Sequence, residues 1–266
     1  MVLAVGSQDD QVIDPYAQLP ELYDLEHGAY DEDIPFYLQT VESVGDPVVE
    51  LGCGTGRILL PIADAGFRIT GVDCSGPMLD VARSVIGLAG LELQVTLLET
   101  GMTDLAAIAT ASVGTVLIPL NGLMHLATSG EQRTTLTEAR RILDPRGQLV
   151  IDVLNPVPMR LQAWDRQVVH EGTWTREDGA IVDKFSARRV DHAEQRIDTE
   201  LWYDITTADH QVQRVRSSFP MRYLSLAELT LMLEFAGFGD LQVYGSYDLD
   251  AYHDDSERLL VTAEPR

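Results

Sequence analysis

The chain has a single lysine, Lys184, in 266 residues. A Schiff-base cofactor would have that one anchor, in a poor context, and such chemistry drops out. Cysteine is almost as scarce: Cys53 and Cys74 are the two present, each just after an expected strand. A chain of this length does not depend on one bridge for stability, so both are read as reduced packing residues. Basic residues are few as a class, 19 against 42 acidic ones, for a formal net charge of -23. That field repels phosphate backbones and anionic lipid surfaces, which excludes nucleic acid and membrane as partners. It suits a solvated surface and, secondarily, the steering of a cationic substrate. No apolar run approaches the roughly 18 residues of a membrane span. The opening MVLAVGSQDD lacks the basic start and apolar core of a leader, so a cytoplasmic location is expected. No metal site is expected.

What is present is an ordinary globular composition, 45% hydrophobic, enough for one large α/β domain with an insertion or two modest domains. Amphipathic stretches at 15–26 and 32–44 precede an apolar run, Val48-Val49-Glu50-Leu51. Strand and helix then alternate. Helices are expected over 57–65, 75–87 and 129–143, with strands over 68–72, 91–98, 114–118 and 148–154. Such alternation implies a parallel sheet covered on both faces. Between about Trp164 and Pro220 the pattern changes to runs such as Glu200-Leu201-Trp202-Tyr203-Asp204-Ile205 between turn signals, an antiparallel excursion of three or four strands. A helix over 226–236, stopped by Gly237, and two strands near 241–244 and 258–263 follow.

The first strand runs into Gly52-Cys53-Gly54-Thr55-Gly56-Arg57. Glycines there let the backbone turn tightly and approach a ligand, and a helix start offers free N–H groups. Arg57 stands where a dinucleotide motif would carry its last glycine, which counts against a nicotinamide cofactor. At the end of the second strand Asp73 can accept hydrogen bonds from both hydroxyls of a ribose.

Taken together, strand-Glu-x-Gly-x-Gly-x-Gly-helix followed by strand-Asp-x-Ser resembles the class I methyltransferase family. The resemblance implies a Rossmann-like, seven-stranded, mostly parallel sheet with helices on both faces, an inserted antiparallel β lid after the fifth strand, and S-adenosyl-L-methionine as cofactor. It divides the chain into N-terminal helices over the cofactor site (1–45), a core (46–160 and 221–266) and the lid (161–220). By the same resemblance Glu50 reaches the methionine amino group and Gly52, Gly54 and Gly56, with Cys53 and Arg57, line the methionyl and ribose portion. Asp73, with Cys74, holds the ribose, and Met78 packs on the adenine edge, a position equally suited to core packing. The family's acidic residue near the adenine amino group is absent: Gly101 stands in its place, leaving the Met102 backbone, with Thr103 or Asp104, to meet the ring. Tyr23-Asp24, Tyr30-Asp31 and Phe36-Tyr37 are similar to entry helices whose tyrosines cover the methionyl end.

After the fourth strand, Leu120-Asn121-Gly122-Leu123-Met124-His125-Leu126 is similar to the small-molecule branch, which includes sugar N-methyltransferases and glycine or sarcosine methyltransferase-like enzymes. Leu120 and Asn121 would face the cofactor. His125 would be the catalytic base, with a reference pKa of about 6.5, or a structural histidine. The expected activity is methyl transfer to nitrogen or oxygen of a small-molecule acceptor, and a homodimer is compatible with it. The alternatives are a nicotinamide-dependent oxidoreductase and an inactive S-adenosylmethionine-binding protein. The lid offers Trp164, Trp174, Trp202, Tyr203 and Phe219 and the arginines 188, 189, 214, 216 and 222, which either grip an anionic acceptor or pair with neighbouring acids.

Overall fold

The computed structural model describes residues 14–266, so the leader segment considered above lies outside the described residues. Two helices come first, α1 (Pro20–His27) and α2 (Ile34–Val44), each with proline in its opening turn, where the missing N–H is no loss. The stretch expected to be helical from Pro15 becomes so only at Pro20. Before it the chain turns, with the Tyr16 N–H donating to Asp14 Oδ1 at 2.8 Å.

The alternating segment gives β1 (Val48–Leu51), α3 (Leu59–Asp64), β2 (Ile69–Asp73), α4 (Gly76–Ala89), β3 (Val95–Glu99) and β4 (Val113–Ile118). A 3₁₀ turn at Gly122–His125, α5 (Ser129–Ile142) and β5 (Leu143–Leu154) follow. α4 starts where the Ser75 hydroxyl accepts from Met78 N–H and ends on left-handed Gly90, and α5 carries a Thr128/Glu131 capping box. The third strand is shorter than expected, because Gln94 N–H closes a turn onto Leu91 O at 3.0 Å.

A short helix, α6 (Pro158–Trp164), leads into β6 (Val168–Thr175), β7 (Ile181–Asp191), β8 (Arg196–Thr206) and β9 (Val212–Arg222). These four form their own antiparallel sheet in sequential order. The chain returns through α7 (Leu226–Ala236), β10 (Phe238–Tyr244) and β11 (Arg258–Pro265).

The main sheet has seven strands in the order β10-β11-β5-β4-β1-β2-β3, with β11 antiparallel to both its neighbours. Its alternation sorts side chains to two cores. Val48, Leu117 and Val150 meet α2, α3 and α4 through Val41, Ile62 and Leu79. Their neighbours Val49, Val116, Leu149 and Ile151 meet α5 and α7 through Leu136, Ile142, Leu229 and Leu233. Helices therefore cover both faces. The lid sheet is seated by a third cluster, in which Leu19 and Leu22 pack against Val182, Leu201, Tyr203 and Ile205. Among the described residues no helix is long and apolar enough to cross a membrane, and no cluster of His, Cys, Asp or Glu is placed to hold a metal.

Candidate active site

A cavity of about 480 Å³ lies over the carboxyl ends of β1, β2 and β4, where open parallel sheets bind ligands. Gly52 and Gly54 form part of its wall with φ of 78° and 54°, a left-handed backbone that favours glycine. A Cβ on Gly54 would point at the Met78 and Tyr23 side chains across this space, 3.7 and 3.9 Å away. Gly56 departs from expectation, as it does not reach the cavity. Its Cβ position faces Ala82 and Leu59 at 3.5 and 3.7 Å, so it serves the approach of α3 to α4.

Glu50 lies on the cavity wall, 2% exposed, and its Oε2 is buried without a hydrogen-bond partner. Burial pushes its carboxyl well above the usual range, with the Arg57 charge pulling the other way. Asp73 accepts from Gly54 N–H on Oδ2 at 2.8 Å and from Ser75 N–H on Oδ1 at 2.9 Å. Each oxygen keeps a lone pair for a further donor. Burial raises the Asp73 carboxyl, against those two backbone donors. Arg57 also lines the cavity, but its guanidinium is committed to a bidentate pair with the fully buried Asp33 at 2.7 and 2.6 Å. It also donates to Tyr30 O at 2.8 Å.

Cys53 is buried beside the loop, whereas Cys74 is exposed, so the reading of both cysteines as packing residues holds only for Cys53. Met78, Gly101 and Met102 reach the cavity; Thr103 does not, and Thr100 lines it instead. The cause is a turn, closed by Asp104 N–H onto Gly101 O at 2.9 Å, that carries residue 103 away. Of the expected tyrosines Tyr23 faces the cavity, its hydroxyl pushed up to about 12 by burial despite Arg57. Tyr37 is in the core, fully buried, donating to Asp152 at 3.2 Å, and Phe36 packs there too.

Leu120 and Asn121 form an elbow after β4 with φ of 41° and 67°, a left-handed backbone that asparagine tolerates and that is uncommon for leucine. Three bonds hold it: Leu120 N–H to Asp152 Oδ2 at 3.1 Å, Asn121 N–H to Asp152 O at 2.9 Å, and Leu154 N–H to Asn121 Oδ1 at 2.6 Å. Asp152 is itself fully buried and accepts from Tyr247 at 2.8 Å and Arg258 Nε at 2.7 Å. Nothing in the sequence around 152 marks this role, because its partners come from distant elements.

His125 follows the elbow with Nε2 3.3 Å from the Tyr16 hydroxyl. Burial pushes its pKa down to about 4, so the near-neutral titration expected of its residue type does not occur here. Tyr16 stacks on Phe219 at 5.6 Å, His125 lies 5.2 Å from the same ring, and Tyr23 meets His27 at 4.5 Å. Tyr16, Tyr23, His27 and Phe219 also border a second cavity of about 110 Å³ beneath the lid. Tyr16 and His27 went unnoticed in the sequence, since residue 16 reads there as one helical position among several.

The register of the lid sorts its candidate residues. Arg188, Thr199 and Phe219 form one cross-strand row, Lys184, Tyr203 and Val215 another, all on the face towards the small cavity. Trp202 stacks on Phe185 at 5.7 Å and Trp164 lies under Arg188 at 4.7 Å. Arg214 pairs with Asp204 at 2.6 Å and Arg216 with Glu200 at 3.2 Å on the outer face, while Arg189 is exposed. Arg222 is held by Gln132, Gln195 and Glu228. Arg188 pairs with Glu171 at 2.8 Å, so pairing with neighbours is what Arg188, Arg214, Arg216 and Arg222 do in the structure.

A family profile described as a methyltransferase domain matches residues 48–147, from β1 into β5. Cypemycin N-terminal methyltransferase of Streptomyces sp is 28% identical over 222 residues, 83% of each chain. The structure of the CcbJ methyltransferase from Streptomyces caelestis is 25% identical with a TM-score of 0.74, covering 90% of this chain and 98% of that one. The sugar N-methyltransferase KedS8 from Streptoalloteichus sp ATCC 53650 shares the fold, with a TM-score of 0.75 over 100% of both chains at 17% identity. Glycine loop, sheet order and matched domain agree: the chain carries a methyltransferase domain on a Rossmann-like fold and is similar throughout to S-adenosylmethionine-dependent methyltransferases.

Proposed function

We propose that the enzyme transfers the methyl group of S-adenosylmethionine to a nitrogen of a small-molecule acceptor seated under the lid, by in-line displacement. The observation that carries this is the ring of Tyr16, Tyr23, His27 and Phe219 between the large cavity and the small one. Burial lowers His27 and raises both tyrosines, so the collar is uncharged at neutral pH, and its aromatic faces favour the positive charge that develops on an amine nitrogen as it takes the methyl group. KedS8 is named for transfer to nitrogen and the cypemycin enzyme for an N-terminus, both of which support an amine acceptor.

The large cavity fits the cofactor. Glu50 supplies a buried, unpartnered carboxylate oxygen for its ammonium, Asp73 two lone pairs for the ribose, and Gly52 and Gly54 a wall without side chains. Met78 and Met102 would flank the adenine, and Leu120 and Asn121 the sulfur side of the site. When bound, the sulfonium supplies an electrophilic methyl group. The protein then has to align a lone pair with the S–CH₃ axis and exclude water, and a closed aromatic collar does both. His125 orients the Tyr16 hydroxyl as a neutral acceptor. It is too weak a base to take a proton from an alkylammonium of pKa about 10.4, since about six pKa units correspond to roughly 8 kcal/mol. The acceptor therefore enters as free amine.

Residues 14–45 and the 161–220 insertion serve in this scheme as the two covers of the site. A cytoplasmic setting is supported by the unpaired Cys53 and Cys74. A screen of amines and matching alcohols for S-adenosylhomocysteine formation tests the proposal. Amines should turn over and alcohols should not; turnover confined to alcohols would refute it.

A further inference from the structure

Each cation on the inner face of the lid cavity is already neutralised. Lys184 Nζ lies 2.5 and 2.7 Å from the two oxygens of Glu26, which also accepts from Tyr203 at 2.8 Å. Arg188 lies 2.8 Å from Glu171, which is bonded to the Ser186 hydroxyl as well. Glu171 sits in the β6–β7 register shift between His170 and Gly172, a bulge that re-aims its side chain towards Arg188. The side chains are withdrawn from water, 12% and 15% exposed for Lys184 and Glu26, 18% and 26% for Arg188 and Glu171. A fully buried polar atom left without a partner on this wall is the Thr199 hydroxyl, which is neutral.

Resting on the methyltransferase proposal above, we infer that the lid cavity takes an acceptor whose non-reacting end is uncharged, and that Glu26 and Glu171 set this specificity by occupying the two inward cations. A carboxylate or phosphate entering the cavity must displace one of these acids and leave it buried without its partner. For a sequestered pair that disfavours binding by about a hundredfold or more. A hydroxyl or amide meets no such barrier and finds the Thr199 hydroxyl unpaired. The cavity of about 110 Å³ admits only a small group of this kind.

The full chain saturated with S-adenosylhomocysteine is melted in acetate, with chloride at equal ionic strength as control. The wild type should show no acetate-specific shift. Glu171→Gln, which frees Arg188, and Glu26→Gln, which frees Lys184, should each gain one of about 2 °C or more. An acetate shift in the wild type, or none in either variant when its circular dichroism is unchanged, overturns the inference. Should neither variant fold, the wild type decides. Turnover of 3-aminopropan-1-ol should exceed that of β-alanine at least about tenfold, and a ratio near one overturns it. Cofactor titration of the wild type is the separate control: failure to bind S-adenosylhomocysteine would refute the methyltransferase proposal and not the charge pairing.

Discussion

Replacing Glu50 by glutamine keeps its shape and removes its charge, and the structure assigns that change two opposite effects. In the free enzyme the Glu50 carboxyl is buried with an oxygen that has no partner, and its pKa stands well above normal. A carboxyl raised in the folded state contributes stability that is fully present below the unfolded pKa and lost as pH rises through the folded one. Ligand-free Glu50→Gln should therefore match the wild type in acid and melt higher than it at alkaline pH. Cofactor binding runs the other way. The ammonium of the methionyl end requires a carboxylate, so binding expels the proton, and wild-type affinity should strengthen as pH rises through the raised value. Glutamine should lose a charged hydrogen bond of about 1.5–3 kcal/mol, roughly 10- to 150-fold in Kd, and most of the pH slope with it. Isothermal titration with S-adenosylhomocysteine at several pH values reads both. Equal affinity and an equal slope in the two proteins would refute the assignment of Glu50.

Asp73→Ala should weaken cofactor binding by about 1.5–3 kcal/mol through the ribose bonds, and by more as Gly54 and Ser75 lose their acceptor; an unchanged titration would refute it. Asp152→Asn leaves Arg258 buried without its charge partner and should cost about 3–5 kcal/mol in urea unfolding, part of it recovered by adding Arg258→Met. No loss of stability would show that the Asp152 cluster is dispensable. His125→Gln should keep the wild-type pH–rate profile, because burial holds the imidazole neutral above about pH 4. A wild-type inflection near 6.5 that vanishes in the variant would restore the general-base role.

The parts of the site legible in the sequence are those whose chemistry is packed into a few consecutive residues. Val48 to Arg57 announces strand, turn and helix through glycine spacing, and Asp73 follows one βα unit later. Gly56 was misplaced because spacing alone does not tell a glycine that meets a ligand from one that meets Ala82. Likewise Thr103 and Thr100 differ only in how one turn closes. Tyr16 and His125 stand 109 residues apart, Glu26 and Lys184 158 apart, and no local pattern couples them. The sequence left the lid-strand arginines two readings, anion ligand or partner of a neighbouring acid, and it is the register that puts Arg214 and Arg216 on the outer face opposite acids.

The elbow at Leu120 and Asn121 has a consequence for the order in which the molecule assembles. Its anchor, Asp152, is neutralised by Arg258, 106 residues further along, on a strand that inserts between β10 and β5. Synthesis proceeds from the N-terminus, so the glycine loop and Asp73 emerge well before that strand exists. Until it docks, Asp152 faces the core as an uncompensated charge, and the strained elbow lacks a fixed anchor. The set of the elbow is thereby tied to closure of the sheet at its far edge, where β11 also brings Leu259, Val261 and Ala263 into the core that holds Val49, Leu51 and Val72.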